Sequence, residues 1–122
     1  MDTNIVSDYF SASFSVDGIA LMDTVIDAVP KISVITQIEL LCWQKDADTE
    51  QKIKNFIADS VVLDISPEVI VQCVNLRKGK KIKIPDAIIA ATALAYGYIL
   101  ITNNEKDFAN IKGLKMANPY KA

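Results

Sequence analysis

Apolar positions along the chain switch repeatedly between helical spacing and short unbroken runs. Val16, Ile19, Ala20, Met22, Val25, Ile26 and Val29 form one helical stripe,. Pro30 stops it, because the residue before a proline is pushed out of the helical region. Lys31 to Ile35 (KISVI) is rich in β-branched residues and reads as a strand,. Thr36 opens a helix to about Trp43, and residues 46–60 form a polar helix that turns Ile53, Phe56 and Ile57 inward. Val61 to Ile65 is a second strand. Ser66-Pro67-Glu68 combines a capping hydroxyl, a proline at the first helical position and an acid in the first turn,. A helix therefore runs from there toward Lys78, with Gly79 as its terminator. Pro85 opens another helix, Asp86 to Tyr96, stopped by Gly97. Ile99 to Ile101 is an apolar run expected of a strand covered on both faces. Asn104 to Ile111 reads as a short helix and Leu114 to Met116 as a last short strand. At the other end, Met1 to Thr3 is the stub of a strand, and Ile5 to Phe10 a helical turn or two.

This alternation predicts an α/β fold, a parallel sheet flanked by helices in three layers, with residues 1–122 as a single domain,. In such folds ligands gather outside the carboxyl ends of the strands. No apolar run approaches the roughly 20 residues that span a bilayer. The start lacks the basic head and apolar stretch of a signal peptide. The expected location is the cytoplasm, with no membrane partner.

Composition narrows the chemistry. The chain is 51% apolar with four glycines and four prolines, as a packed globular domain requires,. It has no histidine, which excludes a Ser-His-Asp triad and any histidine general base. Hydrolysis would have to use carboxylates, a metal, lysine or the thiols. Cys42 and Cys73 lie in apolar helical surroundings and are expected to be buried, reduced thiols; without a second thiol nearby they argue against zinc. Trp43 and Phe56 read as core or subunit interface. The net charge of −2 gives no bulk attraction for nucleic acid,. Locally, however, Arg77, Lys78, Lys80, Lys81 and Lys83 cluster, either as a solvated helix end or as a phosphate-binding rim.

Acids sit at the turning points between elements. Asp2 ends the first strand stub, Glu39 lies one turn into the helix after the second strand, and Asp86 is in the first turn of its helix. Asn104 and Asp107 follow the strand Ile99 to Ile101. Each has an ordinary explanation: Thr36 to Glu39 fits a capping box, Asp86 complements a helix dipole, Asp2 could be a solvated terminal residue, and Asp107 could cap a short helix. Together they lie at one predicted edge. Carboxylates suit Mg²⁺ or Mn²⁺, which activates water and offsets charge on a phosphodiester.

Taken in order, DTNIVSDYF, SVITQIELL and IPDAIIAATALAYGYILITNNEKDFANIKGLKMANPY resemble the PIN-domain family, most of all the VapC-type ribonuclease toxins of bacterial toxin–antitoxin pairs. The resemblance implies a Mg²⁺- or Mn²⁺-dependent endoribonuclease acting on RNA, a homodimer, and a cognate antitoxin that blocks the site, with an arginine paired to its carboxylates. The family's first three acids fall on Asp2, Glu39 and Asp86. Its fourth falls on Asn104, an amide here, with Asp107 the neighbouring acid. Thr102 and Asn4 match polar residues lining the pocket. On that reading Asp2 and Asp86 are expected to anchor an ion, Glu39 to join as a metal ligand that positions or deprotonates water, Asn104 and Thr102 to orient water or a phosphate oxygen, and Asp107 to shape the edge as a further metal ligand. Arg77, Lys78, Lys80 and Lys81 are the expected RNA rim. Two departures stand out. Met1 directly precedes Asp2, which shortens the family's central strand and is expected to expose backbone groups. Asn104 removes a charge, which is expected to weaken a second metal. Two rivals follow: a PIN-like binding module without catalysis, and a nuclease acting on DNA.

Overall fold

The computed structural model describes residues 1–11, 14–43 and 45–121. The elements are α1 (Thr3–Phe10), α2 (Val16–Asp27), β1 (Lys31–Ser33), α3 (Val34–Cys42), α4 (Ala47–Asp59), β2 (Val61–Leu63), α5 (Pro67–Gly79), α6 (Ile84–Tyr96), β3 (Leu100–Ile101) and β4 (Met116–Ala117), closed by a 3₁₀ turn at Pro119–Lys121. Both strand pairs are parallel: Lys31 lies opposite Val61 and Ser33 opposite Leu63, while Leu100 lies opposite Met116 and Ile101 opposite Ala117.

Successive strand residues face opposite ways, and β3 shows the consequence. Leu100 enters a core built from Ala87, Ile89, Ala90, Phe108 and Ile111, whereas Ile101 enters another with Met1, Ile5, Met22, Ile32 and Leu40. The strands thus separate two apolar layers, with α1, α2 and α4 contributing to one and α6 to the other, and α5 packed along α6. The expected α/β arrangement of parallel strands and flanking helices is present. Among the described residues, no helix is long and apolar enough to cross a membrane.

Several boundaries differ from the sequence reading. The strand at KISVI ends at Ser33, because the Ser33 hydroxyl accepts from the Thr36 amide at 3.1 Å and starts α3 at Val34. α2 ends at Asp27, and Val29 turns the chain with φ +60° before Pro30. Residues 105–110 form turns rather than a helix. The last strand falls at Met116–Ala117 rather than at Leu114. Ser66 and Gly97 behave as expected: the Ser66 hydroxyl caps α5, and Gly97 ends α6 at φ +73°, which suits glycine,. Gly79 does not stop α5 by a left-handed turn but is its last helical residue. Cys42 is exposed and Cys73 half-buried, so neither is the core thiol expected; both are free.

Met1 and Asp2 are not part of an assigned strand, yet they bond as the end of one. The Met1 nitrogen donates to the Lys31 carbonyl at 3.3 Å and the Asp2 amide to the Ile101 carbonyl at 2.9 Å. Successive nitrogens thereby tie β1 on one side and β3 on the other. A groove of about 510 Å³ also opens between the pairs, lined by Met1, Val25, Pro30, Ile89, Ala93 and Ile99.

Candidate functional site

The link from Met1 and Asp2 to β3 fixes the first acid. Asp2 is 7% exposed, and its Oδ2 accepts from the Thr102 hydroxyl at 2.9 Å. Thr102, fully buried at the exit of β3, accepts in turn from the Asn104 amide at 2.9 Å. One hydroxyl therefore orients the carboxylate and starts the turn that carries Asn104 and Asp107. Thr36 secures the same segment from below: its buried hydroxyl donates to the Met1 carbonyl at 3.2 Å.

Glu39 stands on the exposed side of α3 and accepts from the Thr3 hydroxyl at 2.6 Å. The capping-box reading of Thr36 to Glu39 fails, because Ser33 fills the cap and Thr36 is the third helical residue. Glu39 is thus turned toward the first residue of α1. Asp86, in the first turn of α6, is half-buried, and the helix has no side-chain cap. Asp107 accepts from the Asn104 side-chain amide at 2.7 Å, so the Asn104 amide is engaged on the acid next to it. Asn4 is exposed one turn from Ser7, whose hydroxyl donates to the Asn4 carbonyl.

The electrostatics tie these side chains into one field. Burial raises the Asp2 pKa; the Thr102 hydroxyl, the Thr3 amide and the Met1 ammonium oppose it, and Glu39 adds to it. Burial also leads the rise at Asp86, reinforced by the negative charges of Asp2, Asp107 and Glu39 and opposed by Lys83. Acids from the chain start, α3 and the turn after β3 therefore all disfavour the charged form of Asp86. Among the described residues, no three acids or thiols are grouped so that they could hold a metal ion as they stand. The donors are hard carboxylate oxygens with no histidine available, which fits Mg²⁺ or Mn²⁺ rather than zinc. A divalent ion is the species that would offset such repulsion.

Two grooves flank the acids. One, of about 420 Å³, is lined by Asp86 and Asp107 together with Arg77, Lys80, Lys81, Lys83 and Lys106. Of the expected rim, Arg77 donates to the Ile82 carbonyl and Lys80 to the Ala109 carbonyl, so both build the wall. Lys78 lies outside the groove lining, and Lys81 lies in it. Lys83, part of the basic cluster in the sequence, lies in the lining too, whereas the sequence reading missed Lys106, which comes from a distant turn. The second groove, of about 340 Å³, is lined by Thr3, Asn4, Ser7, Glu39 and Trp43. Thr3 was also missed; its place beside Asp2 was the available signal.

The PIN domain family model matches residues 1–114. The chain belongs to the PIN domain family. This PIN domain is similar to a chain of a toxin–antitoxin complex from Klebsiella pneumoniae, with 36% identity and a TM-score of 0.75 over 98% of this chain and 95% of that one. VapBC2 from Rickettsia felis, solved with a DNA fragment from its promoter, gives 25% identity and a TM-score of 0.76 over 95% and 94% of the two chains. DNA-bound VapBC from Salmonella typhimurium shares the fold at 23% identity, with a TM-score of 0.77 over 97% and 95%. Among curated proteins, none matches the chain. The VapC-type resemblance of the sequence therefore holds.

Proposed function

We propose that this PIN domain is a Mg²⁺- or Mn²⁺-dependent endoribonuclease and the toxin of a toxin–antitoxin pair. What supports the reading is the placement of the acids: Asp86 and Asp107 line one groove, Thr102 holds Asp2 and Thr3 holds Glu39, and the charges of Asp2, Asp107 and Glu39 add to the rise that burial gives Asp86. Asp2 and Asp86 would hold the ion, with Glu39 and Asp107 beside it. When bound, the ion supplies an activated water and offsets charge on the phosphodiester. Glu39 positions the water or takes its proton. Thr3 holds Glu39 in place, and Thr102 does the same for Asp2. Asn104 braces Asp107 and, with Thr102, orients water or a phosphate oxygen. The basic groove beside Asp86 supports a phosphate-bearing substrate, and RNA is the class the VapC resemblance implies.

The complexes of similar chains support a cognate antitoxin, which would place an arginine among the carboxylates,. A homodimer and a cytoplasmic location belong to the same reading. Purified protein free of its partner is expected to cut single-stranded RNA with Mn²⁺, and to stop with a chelator or with Asp86→Asn. Cutting that survives both would remove the assignment. One observation favours the second reading, a PIN module that binds without cutting: Asn104 replaces an acid and is bonded to Asp107. RNA binding without cleavage at any Mn²⁺ concentration would select it.

A further inference from the structure

The two grooves differ in chemistry. On the Asp86 side, Lys81, Lys83 and Lys106 supply cations, while Arg77 and Lys80 are held by backbone carbonyls. Lys81, Lys83 and Lys106 are exposed, so their charges can meet phosphates without a large desolvation cost. On the Glu39 side no lysine or arginine lines the groove among the described residues, although Lys45 Nζ lies 5.3 Å from the Trp43 ring centroid, so a cation already meets that ring. Asn4 offers an amide that can donate and accept at a base edge, and the half-buried Trp43 offers an aromatic surface,. Thr3, bonded to Glu39 and adjacent to Asp2, joins this second groove to the acids. Cations on one side and an aromatic with an amide on the other match the backbone and the base of an unpaired strand.

We propose that one single-stranded RNA crosses the acidic centre, with its phosphates on Lys81, Lys83 and Lys106 and an unpaired base against Trp43 and Asn4. The choice of RNA rests on the nuclease reading; the path rests on the two grooves. Duplex ends do not suit the second groove, because a base must leave its stack to reach Trp43. Asn4 then becomes the residue that favours one base over another, and Trp43 the sequence-tolerant platform.

The chain has a single tryptophan, so its fluorescence reports on the surroundings of Trp43, which lines this groove and a neighbouring one with Lys45 and Lys54. The test uses the whole chain in a chelator, where cleavage does not intervene, and short single-stranded RNAs of each base. Wild-type fluorescence is expected to be quenched as RNA binds. Lys81→Glu with Lys83→Glu is expected to weaken binding at least tenfold and to lower the salt slope by about 1.4, two phosphate contacts at 0.7 each. Trp43→Leu, followed with labelled RNA, is expected to weaken binding about 5- to 100-fold. Trp43→Phe, which keeps a ring, is expected to recover part of it and guards against a folding defect. Asn4→Ala is expected to flatten the difference between bases. RNA that binds without quenching, or that ignores the double lysine variant, overturns the path even if Mn²⁺-dependent cutting is found. Binding with all the expected losses but no cutting upholds the path and removes the nuclease chemistry.

Discussion

Replacing Thr102 by valine tests the support of the first acid in isolation. Valine keeps the shape and removes the hydroxyl. Two bonds of 2.9 Å are lost, one donated to the Asp2 carboxylate and one accepted from the Asn104 amide. Thr102 is fully buried, so water does not replace them. A bond to a charged group is worth about 1.5–3 kcal/mol and a neutral one about 0.5–1.5, which sets the loss near 2–4 kcal/mol at neutral pH. For a domain of this size that is about 8–16 °C in Tm, taking roughly 4 °C per kcal/mol. The pH dependence carries a sign. The Thr102 hydroxyl holds the Asp2 pKa down against burial, so the variant's Asp2 keeps its proton to higher pH. The variant's folded state then binds more protons than the wild type's, and the stability gap widens as pH rises through the Asp2 titration and shrinks as pH falls below it. Proton competition should likewise move the onset of Mn²⁺ binding to higher pH. Denaturant melts and Mn²⁺ titrations at several pH values, with Thr102→Ser as the conservative control, measure both. A gap that is flat with pH, or a serine variant as damaged as the valine one, would refute the idea that this hydroxyl serves the charged carboxylate.

Two further outcomes follow. Val29→Gly is expected to raise stability by about 0.5–1 kcal/mol, since a β-branched residue at φ +60° is strained and Val29 is 48% exposed, with little burial to lose,; a melt that falls would refute it. Asn104→Asp replaces the bond to Asp107 with a like charge, so it should lower metal-free stability by about 0.5–1 kcal/mol while tightening Mn²⁺ binding several-fold; thermal melts with and without Mn²⁺ check both signs.

Much of this was legible in the sequence where one residue carries one local signal. Ser66-Pro67 and Gly97 set their helix ends because capping and a left-handed turn are decided within a few residues. Asp2 and Asp86 stood out in the sequence because each sits where a helix begins. What escaped depended on contacts distant in sequence. Glu39 passed for a capping partner of Thr36, but Ser33 takes the cap, and Thr3, far away in the chain, takes Glu39. Lys80 looked like a free cation until the Ala109 carbonyl claimed it, and Lys106 reaches the groove only through the turn after β3. Helix 104–111 was over-read because its apolar spacing also suits a packed turn, with Phe108 and Ile111 buried in the α6 core.

The decisive measurement is Mn²⁺ binding to the protein by calorimetry, comparing the wild type with Asp2→Asn, Glu39→Gln and Asp86→Asn at one pH near neutrality. If the three side chains serve one ion, each substitution weakens binding at least tenfold, and no pair of them weakens it by the product of its single effects. Binding that is unchanged by any one of the three, or absent from the wild type at millimolar Mn²⁺, contradicts a shared metal.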